Sequence, residues 1–283
     1  MLEGCVISSE PRTRLVVNAD GFGLSPSRTH GVVVAHTQGI LTSTSVLGNV
    51  DDVASIASEL ARFPRLGTGA FLSLVGGAPV AKPESVPSLV DGEGKFFAQA
   101  REVALAWAKA ALKPEDVERE FDAQVGRLRD HDLAIDHLCT RDHLGFLPII
   151  ARAAENVARR HGIPGLRVAV ERPSLTWVTR PSRGLATAGL GAMAWLSRRQ
   201  LGLRRHGPQT WGTFERGSLD EIHILEILGR LGPGGHELVC QPDLDPRMED
   251  APSHGEIAAL TSIRVREALA RRSIELCRWS DLF

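Results

Sequence analysis

The chain has 283 residues, and its 33 basic and 34 acidic side chains leave a formal net charge of −1. This balance gives no electrostatic reason to expect nucleic acid or an anionic membrane as a partner. Hydrophobic residues make up 43% of the chain, enough for a sizeable core. The four cysteines form no CxxC pair, and the longest apolar segment, residues 185–196, is too short to span a membrane. We therefore expect a cytoplasmic protein with reduced thiols and with neither a nucleic-acid nor a membrane partner.

Strand-like runs of apolar and β-branched residues alternate with helical patterns along the whole chain. In chain order the sequence predicts strand 15–18, helix 27–38, strand 43–47, helix 53–63, strand 69–74, helix 114–129, strand 134–138, helix 147–160, strands 165–170 and 210–214, helix 219–231, strand 237–241, helix 257–270 and strand 273–277. Such alternation is typical of βα units around a parallel sheet. Seven or eight units in fewer than 300 residues predict an α/β fold, a TIM-like (β/α) barrel that occupies residues 1–283 as one domain.

Two insertions interrupt this alternation. Residues at about 75–98 are rich in Gly, Pro and Ser and follow a strand, so we expect a long loop over the barrel mouth. Residues 179–207 are basic and apolar, with a helical pattern at 188–203. We interpret this second insertion either as a helix packed on the barrel exterior or as a flap that lines the pocket.

The segment that says most about chemistry is residues 15–26, Leu-Val-Val-Asn-Ala-Asp-Gly-Phe-Gly-Leu-Ser-Pro. A buried strand ends at Asn18 and Asp20, and two glycines then interrupt the strand pattern. In parallel α/β folds the catalytic groups stand at the carboxyl ends of the strands. We therefore expect Asn18 and Asp20 at the mouth of an active site.

Five groups of residues, in the same order along the chain, resemble the YdjC family of carbohydrate deacetylases. They are 15–26 with 39–45, 69–79, 135–148, 211–228, and 237–242 with 274–282. The resemblance implies a distorted (β/α) barrel of the polysaccharide-deacetylase type. It also implies a divalent-metal hydrolase that removes N-acetyl groups from amino sugars. In that family the metal is bound by the second Asp of an Asn-Ala-Asp-Asp motif and by two histidines, and the first Asp is the general base.

This chain departs from the family pattern at each implied metal ligand. Gly21 stands at the position of the metal-binding Asp, Phe71 at that of the first histidine and Arg141 at that of the second. Cys139 replaces an Asp at the end of a strand, and Gln241 replaces a further His. Glycine and phenylalanine offer no metal donor, and arginine is a permanent cation that repels a dication. We therefore expect no metal and no other cofactor.

The polar side chains that are present at these strand ends define the predicted site. Asp20 is the candidate general acid or base, and we expect Arg141 to pair with it or to bind an anionic oxygen of the substrate. His143 is the third candidate catalytic residue. The alternative is a replacement metal site built from Cys139, Asp142 and His143. The candidate substrate-binding residues are Asn18, Phe71, Cys139, Asp142 and Gln241.

Three functional hypotheses follow. We favour a repurposed enzyme of the deacetylase family that acts without metal on a small biosynthetic or sugar-like molecule, with Asp20 as acid or base. The polar replacements Arg141, Cys139 and Gln241 favour this hypothesis, since drift at an inactive site more often leaves small or apolar residues. The alternatives are a metal-dependent N-deacetylase of an N-acetylated sugar and a non-catalytic protein that binds a ligand or a partner. The expected partner is a small-molecule substrate, and the sequence leaves open whether the protein forms a homodimer.

Overall fold

The computed structural model of the protein describes residues 12–167, 207–213, 219–245 and 254–283. A curled, parallel sheet of eight strands forms its centre, in the order β5-β4-β3-β2-β1-β7-β6, with β8 paired to the amino-terminal half of β1. Each strand lies where the sequence predicts one, so the α/β barrel fold is confirmed, in the form of a half-barrel. The strands are β1 (Thr13–Phe22), β2 (Ser43–Leu47), β3 (Gly67–Leu72), β4 (Ile135–Thr140), β5 (Gly165–Leu166), β6 (Gln209–Trp211), β7 (Gly234–Cys240) and β8 (Glu275–Leu276).

Helices connect most of the strands and follow the predicted pattern with two differences. The helix at Ala100–Ala108, α3, was not predicted, and the single helix predicted at 257–270 is two helices, α7 (His254–Thr261) and α8 (Ile263–Arg271). The chain breaks there because Ser262 has an extended backbone and its side chain accepts hydrogen bonds from the first amides of α8. The helices are α1 (Pro26–Thr37), α2 (Val53–Leu60), α3 (Ala100–Ala108), α4 (Pro114–Asp130), α5 (Pro148–Arg160), α6 (Glu221–Arg230), α7 (His254–Thr261) and α8 (Ile263–Arg271). Throughout the described ranges, no helix combines the length and apolar character that crossing a bilayer requires.

The turn from β1 to α1 brings the end of the first strand to the mouth of the half-barrel. Gly21 and Gly23 adopt φ values of 87° and 85°, a left-handed conformation that favours glycine. Ser25 then caps α1 by accepting a hydrogen bond from the Arg28 amide, and Pro26 occupies the first helical position. The strand therefore ends just beyond Asp20, and the helix leaves in a fixed direction.

The first predicted insertion is a long connection between β3 and α3 that packs on helix α4. Buried acidic side chains of α4 accept hydrogen bonds from its backbone: Glu120 from the amides of Val80 and Ala81, at 3.0 and 2.9 Å, and Asp116 from the Ser88 amide at 3.0 Å. These bonds hold the loop in place although it contains little regular structure. The second insertion, residues 179–207, lies almost wholly outside the described residues, so both interpretations of it stay predictions.

The interior of the half-barrel is polar at its centre. Asn18, Ser45, His137 and Glu237 are fully buried, and they come from β1, β2, β4 and β7. Polar side chains of these types are seldom fully buried unless hydrogen bonds satisfy them. Their concentration inside the sheet therefore marks the place where a functional site is to be sought.

Candidate active site

The Asp20 carboxylate lies at the centre of this polar interior and is bound by a buried guanidinium. Arg167, which directly follows β5, donates from Nη1 to Asp20 Oδ1 at 2.9 Å and to Oδ2 at 2.7 Å. Both side chains are more than nine-tenths buried. Because charge-assisted hydrogen bonds in such surroundings are strong, Arg167 holds both carboxylate oxygens of Asp20 in one orientation.

A second carboxylate binds the opposite side of the same guanidinium. Glu237 on β7 accepts from Arg167 Nε at 3.0 Å with each of its oxygens and from Nη2 at 2.6 Å. Burial by itself would lower the pKa of Arg167, but the Asp20 and Glu237 carboxylates more than offset it and raise the pKa well above its ordinary value. Arg167 is thus a fixed cation between two anions, a role that suits the planar fork of arginine.

A second set of hydrogen bonds, through three uncharged side chains, also supports Asp20. Asn18 uses its one amide nitrogen twice, as a donor to Asp20 Oδ1 and to Ser45 Oγ, both at 3.0 Å. Ser45 Oγ lies 3.0 Å from His137 Nε2, and His137 Nδ1 lies 2.7 Å from Asp136 Oδ1. His137 therefore connects a carboxylate at the amino end of β4 to the Asn18 amide that orients Asp20.

Cys139 faces the same interior and is a buried thiol. Its Sγ lies 3.9 Å from Asp20 Oδ1 and 3.7 Å from the Ala70 carbonyl oxygen, and the side chain is fully buried. Burial and the Asp20 charge raise the pKa of Cys139, although Arg167 acts against them, so the sulfur stays protonated at neutral pH. A neutral thiol that donates toward Asp20 is a poor nucleophile, and we treat Cys139 as part of the surroundings of the carboxylate.

The predicted residues Arg141, Asp142 and His143 form a tight turn above β4. Asp142 and His143 both have left-handed φ values, 52° and 58°. Residues other than glycine rarely adopt this backbone conformation outside functional or turn positions. Arg141 Nε lies 3.7 Å from Asp142 Oδ2. The expectation that Arg141 pairs with Asp20 was therefore wrong, because Arg167 occupies that place.

A small cavity joins this turn to the buried ion pair. Its lining includes Thr140, His143, Phe146 and Arg167, and it measures about 10 Å³. That is roughly the space that one water molecule needs. The structure therefore places His143 and Arg167 around a space suited to a single small group, such as a water molecule or one oxygen of a substrate.

The other predicted binding residues lie around the mouth with different surroundings. Phe71 at the end of β3 is buried in the hydrophobic core, beside Leu47 and Cys139 in the strand register. Gln241 follows β7, and its backbone N–H donates to Glu256 Oε2 at 2.7 Å. The structure thus brings Asn18, Asp20 and Cys139 into one cluster and sets Phe71 at the end of β3 and Gln241 at the end of β7.

An arginine side chain lies in the space beside Gly21 that a larger residue would need. A Cβ atom at residue 21 would lie 3.3 Å from Arg28 Nη1. Arg28 comes from the first turn of α1, and its Nε lies 3.3 Å from Asp243 Oδ2 in an ion pair that is buried on both sides. A fixed positive charge therefore stands next to the residue that the resemblance assigns to a metal ligand.

The donor set at these strand ends does not fit a divalent cation. Gly21 and Phe71 offer no donor atom, Arg141 is a cation, and the Asp20 carboxylate is already held by Arg167. Across the ranges that the structure describes, no three His, Cys, Asp or Glu side chains gather closely enough to hold a metal ion. We therefore derive no catalytic step through a metal.

Three charged residues of the site were not predicted from the sequence. Arg167 and Glu237 lie within apolar strand runs, Gly-Leu-Arg-Val-Ala-Val and His-Glu-Leu-Val-Cys, and Arg28 lies on the buried side of α1. A charged residue inside an otherwise apolar strand segment was the sequence signal that could have revealed Arg167 and Glu237, since buried charges are almost always paired. His137, also not predicted as a site residue, contacts two side chains, Ser45 and Asp136.

Comparisons with known proteins agree with this fold. A family model described as YdjC-like protein matches residues 14–271. Carbohydrate deacetylases from Mus musculus and from Geobacillus stearothermophilus are 31% and 34% identical to the chain. The matches cover 96% and 95% of this chain and 96% and 97% of those proteins.

The fold has a close counterpart among solved structures. A protein from Enterococcus faecalis, described as a cellobiose-phosphate cleavage protein, superimposes with a TM-score of 0.75 and 24% identity. The match covers 96% of this chain and 99% of that one. Since the family model and the full-length relatives agree, the chain belongs to the YdjC-like protein family.

Proposed function

We propose that this protein is an enzyme of the carbohydrate deacetylase type that acts on a small sugar-like molecule, with Asp20 as acid or base and without a bound metal. The observation that carries the proposal is the Asp20 carboxylate, held at the carboxyl end of β1 by Arg167. The relatives named carbohydrate deacetylases support a sugar-like substrate and a hydrolytic reaction at a C–N bond.

The roles of the residues follow from their positions. Asp20 accepts or returns the proton of the reacting group, and Arg167 and Asn18 fix the direction of its oxygens. His143 and Arg167 line the cavity that takes one oxygen of the substrate or a water molecule. Arg141, about one-quarter exposed above β4, supplies positive charge toward a developing oxyanion.

Protein cations take the place of a metal charge in this proposal. Arg28 beside Gly21, Arg141 above β4 and Arg167 beside Asp20 contribute three positive charges at one end of the sheet, and each of them is held in place by a carboxylate of the chain. Preorganised charges in a buried site stabilise a developing anion without rearranging when the reaction occurs. This supports acid–base chemistry by Asp20, since a metal-activated water is not required for it.

The second candidate function is a metal-dependent N-deacetylase of an N-acetylated sugar. The identity of 31–34% over nearly the full length of carbohydrate deacetylases favours it. It requires a ligand set other than the one that the resemblance implies, because positions 21, 71 and 141 hold Gly, Phe and Arg.

The test is the release of acetate from a panel of N-acetylated amino sugars, before and after treatment with a chelator. We expect turnover that survives the chelator and falls about 100-fold or more in Asp20→Asn, the loss typical of removing a general base. Asp130→Asn, at the exposed end of α4, is the matched control and should keep full turnover. Turnover that is unchanged in Asp20→Asn would refute the proposed role, and turnover abolished by the chelator would favour the second candidate.

A further inference from the structure

The C-terminal turn, Trp279–Leu282, packs against the amino-terminal parts of β4 and β5. Trp279 is fully buried there, and its ring stacks on His137 with 4.7 Å between ring centroids and 8° between planes. Gly165 and Gly207 leave the space that the ring occupies, because a Cβ atom at either residue would lie 2.7 or 3.1 Å from a ring carbon. Trp279 therefore fits a site whose shape two other segments provide.

One hydrogen bond links Trp279 to Glu237, the carboxylate that holds Arg167 against Asp20. Its Nε1 donates to Glu237 Oε1 at 3.2 Å. The same carboxylate binds Nε and Nη2 of Arg167, whose Nη1 binds both oxygens of Asp20. The indole thus fixes the rotation of Glu237, and Glu237 fixes the plane of the guanidinium.

The same turn contacts the second support of Asp20. The Trp279 ring covers one face of His137, and the Ser280 amide donates to Asp136 Oδ2 at 3.3 Å. Asp136 and His137 then continue the chain through Ser45 and Asn18, described above, to Asp20 Oδ1. Two separate chains of hydrogen bonds therefore begin at the C-terminal turn and end on one carboxylate.

We infer that Trp279 is a positioning residue for Asp20, acting from the opposite end of the half-barrel. The inference rests on the proposed function, in which Asp20 is the acid or base. Among the residues that the structure describes, Trp279 reaches the carboxylate through Glu237 and His137, so it affects the reacting geometry and not the binding of substrate at the mouth. Supporting residues of this kind keep a reacting group within about 0.5 Å of its productive place.

The test compares two tryptophan variants. Trp279→Phe keeps an aromatic ring against His137 and removes the N–H bound to Glu237. Trp211→Phe is the matched control, because Trp211 is also buried and also donates from Nε1 to a side chain, His236, at 3.2 Å outside the Asp20 network. With the sugar that the wild type deacetylates fastest, we expect kcat to fall roughly tenfold in Trp279→Phe at unchanged KM, and to stay at the wild-type value in Trp211→Phe.

Crystal structures of both variants give a readout that does not depend on turnover. We expect the Asp20 carboxylate to move by about 0.5 Å or more in Trp279→Phe and not in Trp211→Phe. An unmoved carboxylate overturns the inference even if no tested sugar is a substrate. Wild-type kcat in Trp279→Phe, with Asp20→Asn inactive, also overturns it and leaves the proposed function intact.

A second variant serves if Trp279→Phe does not fold. Asp136→Asn changes the second set of hydrogen bonds, which runs through His137, Ser45 and Asn18, at the end farthest from Asp20. The Asp136 side chain is partly exposed. We expect it to lower kcat at unchanged KM and to shift the Asn18 amide relative to Asp20. An unchanged kcat together with an unshifted amide contradicts the inference.

Discussion

A single buried guanidinium, shared by two carboxylates, is the chemical centre of this molecule. Asp20, Arg167 and Glu237 come from three strands or strand ends, and all three are almost fully buried. Removing one member of a buried charge cluster leaves the others without compensation, which costs far more than the loss of a surface pair. The cluster therefore contributes to folding as well as to the site.

Replacement of this guanidinium should destabilise the fold. Arg167→Met keeps most of the side-chain length and removes the charge, so we expect the free energy of unfolding to fall by about 3–5 kcal/mol. The control is Arg160→Met, which removes a half-exposed arginine that binds Glu118 and Asp122, with an expected loss of about 1 kcal/mol or less. Urea unfolding measures both, and equal losses in the two variants would contradict the account.

The sequence predicted Asp20 and not the residue that holds it. The Asn-Ala-Asp-Gly pattern at the end of an apolar run places Asp20 at a strand end by local rules alone. Its partner Arg167 lies 147 residues further along the chain, and no local pattern specifies which cation of a parallel sheet faces which carboxylate. The incorrect prediction that Arg141 pairs with Asp20 was based on motif position, whereas the pairing depends on strand order and side-chain direction.

At the scale of elements, two strands carry glycine where a histidine must fit. A Cβ atom at Gly69 on β3 would lie 2.2–2.5 Å from ring atoms of His137, closer than real contacts allow. At Gly165 on β5 it would lie 2.7 Å from the His137 Cβ atom. The glycines of β3 and β5 therefore let β4 turn His137 inward toward Ser45.

A methyl group at the first of these glycines should be costly. In Gly69→Ala we expect a loss of about 3 kcal/mol in the free energy of unfolding, because neither the histidine nor the strands can give way. Gly126→Ala, inside α4 with nothing within 4 Å of its Cβ position, should instead gain about 0.5–1 kcal/mol. Chemical denaturation of the two variants decides this, and a stable Gly69→Ala would show that His137 is not confined as described.

Helix α4 should give the protein a measurable pH dependence through Glu120. Burial raises the pKa of Glu120, against hydrogen bonds from Gln124 and from the amides of Val80 and Ala81. The folded state then binds more protons than the unfolded state above the unfolded pKa of about 4.3, so this carboxyl lowers stability as pH rises. Relative to wild type, Glu120→Gln should therefore gain unfolding free energy between pH 4.5 and 7. A difference that is constant or falls over that range would contradict the assignment.

The elements themselves were largely predictable, and the exceptions have local causes. All eight strands were found from apolar runs, because a parallel sheet buries both faces of each strand. Helix α3 was not predicted because no element was assigned to the residues between the insertion, which ends near residue 98, and the helix predicted from residue 114. The break between α7 and α8 depends on one capping serine, Ser262, inside an otherwise continuous helical pattern.

For the whole molecule, the curled sheet brings residues from distant parts of the chain to one carboxylate. Supports reach Asp20 from β2, β4, β7, the end of β5 and the C-terminal turn, while the mouth is formed by the connections that follow β1, β4 and β7. The family fold is kept, and we propose that the residues at the implied metal positions are not. Fold is a property of the apolar pattern, whereas the chemistry depends on a few strand-end positions that can change independently.

The central claim is that protein cations, and not a metal ion, hold the charge of this site. The most direct measurement is the metal content of the purified protein after incubation with zinc and gel filtration, made in parallel on Asp20→Asn. We predict well below one ion per chain in both proteins, because the described strand ends offer no fitting donor set. Close to one ion per chain in the wild type, lost in Asp20→Asn, would contradict the claim.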